Sequence, residues 1–256
     1  MSQSQSHGKL YIVGIGPGAI EHITKKAERA LLESEYIIGN GTYIDQIAGI
    51  VKDKKIIRSG MGGEVERARK AVELGKDHIV SIISGGDANV YGMAGIVFEV
   101  AETAEGSGNI DIEVIPGVTA ISAAASLIGA PLVNDFAVIS LSDLLTPNEI
   151  IEGRLKSAAE ADFVIAIYNP KSRNRKEKFA GAVNIIRKYR SENTPAGIVK
   201  NAMRTGETVL TTTLGRIMEY NDIIDMSTIV LIGNSESRSW KNRIITPRGY
   251  QRKYDY

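Results

Sequence analysis

His78-Ile79-Val80-Ser81-Ile82-Ile83-Ser84-Gly85-Gly86-Asp87-Ala88-Asn89-Val90-Tyr91-Gly92-Met93-Ala94-Gly95 decides how the rest of the chain is read. The run from His78 to Ile83 is apolar, rich in β-branched residues and of strand length, which predicts a buried strand. Ile96-Val97-Phe98-Glu99-Val100-Ala101-Glu102 follows and predicts a helix. The loop Ser84–Gly95 therefore lies at the carboxyl end of a strand, where open α/β sheets place their ligands. Gly85 and Gly86 have no Cβ and let backbone groups approach a ligand closely. Asp87 offers a carboxylate, and Tyr91 a flat apolar face with a polar tip. Glycine and aspartate are also ordinary turn formers, so on these residues alone a plain strand-to-helix turn reads as well as a ligand loop.

Working outward, Lys9–Val13, Tyr36–Ile38, Ile56–Ile57 and Ile110–Ile115 read as further strands, with Gly39-Asn40-Gly41 as a turn. Helices are expected from Thr24, as N-cap, through Leu32, and from Glu64 to Leu74. Strands alternating with helices imply parallel pairing through right-handed crossovers. Past Pro116 the texture changes. Ala120–Ala130 is a small-residue helix, Pro147–Ala159 a second, and Asn174–Tyr189 a basic amphipathic third. Phe136–Leu141, Phe163–Ile167, Ala196–Val199, Thr208–Thr213 and Ser227–Ile232 read as strands. The expected organisation is a disordered polar leader (1–8), an N-terminal α/β domain (9–117), a C-terminal α/β domain (118–235) and a basic tail (236–256) in which no element is assigned.

A length of 256 residues fits one large α/β domain or two of moderate size. A formal net charge of +1 argues against a general nucleic-acid binder. The sequence has no cysteine, which removes disulfides and thiolate metal sites and is compatible with the cytoplasm, the expected compartment. Its three histidines, at 7, 22 and 78, share no spacing with other ligands, so no protein-bound metal is expected. No apolar run is long enough to cross a bilayer, and no membrane partner is expected.

Four more strand ends carry small or amide-bearing residues. In the first, Gly14, Gly16 and Ala19 satisfy the dinucleotide spacing G-x-G-x-x-G/A and keep an NAD(P)-dependent oxidoreductase open as an alternative. Pro17-Gly18 counts against it, because it stands where the phosphate-holding helix would have to begin. The others are Ile115-Pro116-Gly117-Val118-Thr119, Ile167-Tyr168-Asn169-Pro170 and Val199-Lys200-Asn201-Ala202-Met203. Thr119 also reads as a helix cap. Each is ordinary punctuation alone, but such loops can converge on one crevice.

Gly14-Ile15-Gly16-Pro17-Gly18, Ser84-Gly85-Gly86-Asp87 with Val90-Tyr91-Gly92-Met93-Ala94, and Ile115-Pro116-Gly117-Val118-Thr119-Ala120 stand in the order seen in the tetrapyrrole methylases, which the chain resembles from Lys9 to Tyr250. Tyr168-Asn169-Pro170 with Ser172-Arg173, Ile232-Gly233-Asn234-Ser235 and Thr246-Pro247-Arg248-Gly249-Tyr250 resemble the branch acting at C-17 of precorrin-3B or cobalt-factor III. The resemblance implies a two-domain α/β fold, with a mainly parallel N-terminal sheet, a mixed C-terminal sheet and a ligand cleft between them. It implies a homodimer that uses S-adenosylmethionine, releases S-adenosylhomocysteine and methylates a tetrapyrrole with ring contraction. Carried over residue by residue, it implies cofactor contacts for Pro17, Gly85, Gly86, Asp87, Val90, Thr119, Ala120, Tyr168, Asn169, Asn201 and Ala202. Ala88 departs from the proline of many relatives, and Ala202 from the glycine of some. The catalytic residue stays unassigned, with Tyr91, Asp87 and Ser84 as candidates for proton transfer. A polycarboxylate substrate calls for flanking cations, and Arg173 is the residue taken for that contact. Methylation of another corrin position, or of a diphthamide precursor, is the alternative within the family, and a non-catalytic binding protein the alternative outside it.

Overall fold

The structure is a computed structural model that describes residues 8–172 and 177–255. The chain divides into two compact units, Met1–Ala120 and Ile121–Tyr256.

The first unit is built on five parallel strands, β1 (Lys9–Gly14), β2 (Tyr36–Asn40), β3 (Lys55–Ser59), β4 (Ile79–Ser84) and β5 (Asp111–Ile115). They lie in the order β3-β2-β4-β1-β5. Central strands of such a sheet are covered on both faces, which is why β1 and β4 are almost continuously apolar. Successive side chains alternate between faces. Leu10 and Ile12 enter one core with Val80 and Ile82, covered by α3 (Glu64–Leu74) and α4 (Ala94–Thr103). Tyr11 and Val13 enter the other with Ile37 and Ile83, covered by α1 (Lys25–Glu33) and α2 (Gly41–Gln46). One polar pair is buried in this sheet. Ser81 and Ser34 share a hydrogen bond of 2.8 Å between hydroxyls, and the Ser34 hydroxyl also donates to the Ala30 carbonyl at 2.8 Å.

Thr24 caps α1, its hydroxyl accepting from the Ala27 amide at 3.1 Å. The turn expected at Gly39–Gly41 is instead a strand end followed directly by a helix. Asn40 closes β2, and its side chain accepts from the Thr42 amide at 3.0 Å, which caps α2. Gly41 is the first helical residue, where nothing lies within 4 Å of a Cβ position.

In the second unit α5 (Ala120–Ile128) leads through the two-residue β6 (Gly129–Ala130) into a mixed sheet. Its strands are β7 (Phe136–Ser140), β8 (Val164–Tyr168), β9 (Pro195–Lys200), β10 (Thr208–Thr213) and β11 (Thr228–Ile232), in the order β10-β9-β11-β8-β7. β7 and β8 are parallel, joined by α6 (Asn148–Glu160), and the remaining pairs are antiparallel. α7 is described over Lys178–Arg187, shorter than the expected Asn174–Tyr189; residues 174–176 lie outside the described residues. Fully buried Phe179 anchors α7 in the core with Leu155, Ile167, Ile186 and Val230.

The tail without assigned elements forms a hairpin of β12 (Arg238–Trp240) and β13 (Arg243–Ile245), which turns at Lys241 and Asn242, both with positive φ. β13 pairs in parallel with β6, placing Ile244 beside Gly129. A Cβ on Gly129 would stand 2.6 Å from the Ile244 carbonyl oxygen, and its φ of +124° is one that glycine alone adopts readily.

Candidate functional site

The strand order of the first unit marks the point to examine. The connection leaving β1 runs toward β2 on one side, and the connection leaving β4 runs toward β5 on the other. Neighbouring strands whose connections part in this way leave a crevice at their carboxyl ends. The loops after β1, β4 and β5 meet there. Gly16 and Gly86 form an antiparallel bridge of two backbone bonds, Gly16 N–H to Gly86 O at 3.0 Å and Gly86 N–H to Gly16 O at 2.7 Å. The Asp87 carboxylate joins this pair to the third loop, accepting from the Gly117 amide at 2.9 Å with one oxygen and from the Asn89 amide at 2.8 Å with the other.

The glycines divide by cause. A Cβ on Gly14 would come within 2.7 Å of the Gly117 nitrogen, and one on Gly117 within 2.2 Å of the Gly86 carbonyl oxygen. These two residues are small because three backbones cross there. Gly85 is small because the Tyr43 ring from α2 occupies its side-chain space, at 2.6 Å. A Cβ on Gly86 would be in ordinary contact, 3.5 Å from the Ala120 nitrogen, but the φ of +67° favours glycine. Around this floor Pro17 and Ser84 are buried, while Val90, Thr119 and Ala120 are half-buried. Tyr91 is 56% exposed and held at a φ of +53°, uncommon outside glycine. The dinucleotide alternative loses its footing here, since a 3-10 turn at Ile20–His22 follows the Gly14–Gly18 bend and α1 begins only at Lys25. Among the described residues no α-helix begins directly after the bend, where its N-terminus could hold a pyrophosphate.

In the second unit the Tyr168 hydroxyl accepts from the Ile121 amide at 2.9 Å, at the start of α5. Asn169 has a φ of +51° and donates its side-chain amide to the Ser140 hydroxyl at 2.9 Å. Asn201 also has a φ of +51°; its backbone amide donates to the Ser227 carbonyl at 3.0 Å, and its side chain reaches the Gly206 carbonyl at 3.3 Å. Ala202 is buried. Lys200, at the end of β9, pairs with Asp225 at 2.7 Å. Burial pushes the Asp225 carboxyl up, but hydrogen bonds from Lys200 and Ser227 outweigh it and hold the group below the usual carboxylate range. A depressed folded pKa means that this stabilisation is present above the unfolded value and fades as pH falls through the folded one. Arg173, expected to make the substrate contact, lies outside the described residues. Among the described residues no group of three or more His, Asp or Glu side chains is placed to hold a metal ion. No helix among them is long and apolar enough to cross a membrane.

The sequence matches the family described as tetrapyrrole (corrin/porphyrin) methylases over residues 9–218. The chain belongs to that family. It is 49% identical over 252 residues to the cobalt-factor III methyltransferase of Priestia megaterium, covering 96% of this chain and 46% of that protein. It is 44% identical to the probable cobalt-factor III C(17)-methyltransferase of Salmonella typhimurium, covering 94% of this chain and 99% of that one. The crystal structure of the methyltransferase CobJ superposes with a TM-score of 0.88 at 32% identity, over 94% of this chain and 100% of that chain. The chain spans about half the length of the first of its curated relatives.

Proposed function

We propose that this protein transfers a methyl group from S-adenosylmethionine to C-17 of precorrin-3B or cobalt-factor III and promotes contraction of the macrocycle. The observation that carries the reading is the glycine floor at the switch point of the first sheet, found in a chain 44% identical to nearly the whole Salmonella protein. When bound, S-adenosylmethionine supplies a methyl group on a sulfonium that is already a good leaving group. The protein is left to hold the reactants in line and exclude water. We assign that work to Pro17, Gly85, Gly86, Asp87, Val90, Thr119 and Ala120 on the first unit and to Tyr168, Asn169, Asn201 and Ala202 on the second.

The structure fits a ligand at the floor in one respect in particular. A Cβ on Gly86 would make only ordinary contact with the backbone of Val118–Ala120, whereas at Gly14, Gly85 and Gly117 it would overlap the protein itself. For the proton transfers of ring contraction, Asp87 is the weaker candidate, because both its oxygens already accept backbone amides. Tyr91, exposed and held in a left-handed turn, is the stronger one. The protein is read as a cytoplasmic homodimer with a tetrapyrrole as its small-molecule partner.

Incubation with methyl-labelled S-adenosylmethionine and candidate tetrapyrroles, followed by mass spectrometry and NMR, tests the reading. Label at C-17 supports it, label at another carbon moves the protein within the family, and no label on any tetrapyrrole overturns it. Asp87→Asn exchanges a charge-assisted acceptor for a neutral one, and the two loops it joins loosen. The expected result by calorimetry is S-adenosylhomocysteine affinity about tenfold weaker, with roughly 1–2 kcal/mol lost from folding. Unchanged affinity would remove Asp87 from the cofactor site.

A further inference from the structure

The two most exposed leucines among the described residues, Leu144 at 80% and Leu145 at 98%, sit side by side in the loop between β7 and α6. A loop bearing large apolar side chains in water needs an explanation when its backbone is anchored, and this one is. The Leu141 amide donates to the Tyr168 carbonyl at 2.9 Å, and the Ser142 amide to the Ser140 hydroxyl at 3.2 Å. Asp143 pairs with Lys178 of α7 at 2.9 Å. Pro147 then leads into α6.

The position of the loop places the leucines at one end of the second sheet. β7 and β8 are parallel neighbours with Ser140 opposite Tyr168, so the loops after them leave the same end of the sheet. Asn169 clamps the two together through the Ser140 hydroxyl. Resting on the functional reading above, we infer that Leu144 and Leu145 grip the tetrapyrrole, packing against the apolar face of the macrocycle while its carboxylates stay in contact with water and cations. A macrocycle of this kind offers both a broad apolar face and a charged rim. Two adjacent leucines on an anchored loop match the first, as rigid presentation lowers the ordering cost of binding.

The double variant Leu144→Ser with Leu145→Ser tests this, since neither side chain contributes to the core. Thermal unfolding and calorimetry with S-adenosylhomocysteine are expected to match the wild type, whereas KM and Kd for the tetrapyrrole rise tenfold or more, because the apolar area these residues bury is lost. Leu144→Met with Leu145→Met restores most of the affinity. A wild-type protein that binds no tetrapyrrole overturns both the functional reading and this inference. A wild-type protein that binds one, with the serine variant unchanged, overturns this inference alone. So does a serine variant whose altered behaviour follows a change in sedimentation, which makes the loop a self-association contact.

Discussion

Gly117→Ala is expected to cost about 3 kcal/mol of folding stability and to abolish measurable S-adenosylhomocysteine binding. The added methyl would lie 2.2 Å from the Gly86 carbonyl oxygen and 2.6 Å from the Gly14 carbonyl oxygen. Both are backbone atoms in bridged or paired segments, so no flexible side chain can swing aside. Relief requires the loop after β5 to withdraw from Gly14 at the end of β1 and from Gly86 in the loop after β4. That movement breaks the Gly117 amide bond to Asp87 and opens the floor on which the cofactor is proposed to rest. Gly95→Ala in α4 and Gly153→Ala in α6 are the matched controls. Neither position has an atom within 4 Å of a Cβ, and alanine in a helix interior gains up to about 1 kcal/mol over glycine. Urea unfolding of the three variants gives the answer. A Gly117→Ala midpoint equal to that of the controls would show that the three loops do not cross as closely as described.

Arg190→Ala is expected to be comparably damaging, at about 2–3 kcal/mol, because the Asp162 carboxylate left behind is part-exposed and keeps Ser235. The side chain is 4% exposed and follows α7, with its guanidinium 2.8 Å from Asp162 and 3.1 Å from the Phe163 carbonyl. Burial pulls the Arg190 pKa down and the Asp162 charge works against that fall. Asp162 sits at a φ of +62° in the turn between α6 and β8, and its other contacts are the Ser235 amide at 3.0 Å and the Ser235 hydroxyl at 2.6 Å. One guanidinium therefore ties the end of α7 to the α6–β8 turn and, through Asp162, to the loop after β11. Removing it takes a donor from the Phe163 carbonyl and leaves the part-exposed Asp162 carboxylate with Ser235 as its remaining side-chain partner. Arg190→Met keeps the apolar stem and isolates the charge. In a double-mutant cycle with Asp162→Asn, the coupling is expected to be about 2 kcal/mol. Additive effects would mean that the pair contributes nothing beyond packing.

The strands that position the site were legible because burial on both faces leaves a plain mark. β1 and β4 are mostly apolar along their length, and the threonines of β10 showed its bounds, Thr208–Thr213, directly. Other elements were hidden for specific reasons. Gly41 reads as a breaker, and only the Asn40 cap makes it the start of α2. β12 and β13 are three residues each, largely exposed, and turn on Lys241-Asn242 rather than the Asn-Gly that announces such a hairpin. At the site, the motifs named the loops but not the reasons for their glycines. Whether Gly85 yields to Tyr43 or to a ligand depends on where α2 lands, which no local pattern reveals. Leu144 and Leu145 fall between an expected strand and an expected helix, and only their exposure in the fold distinguishes them from core leucines.

Asn169 and Asn201 directly after strands, and Tyr91 and Met203 further along the loops that follow strands, share a left-handed backbone, a conformation that disfavours ordinary side chains. Folding bears that penalty once, out of the stability of the sheets, and no later encounter repeats it. An incoming molecule meets corners whose shape is already decided, so little of its binding free energy is spent on arranging them.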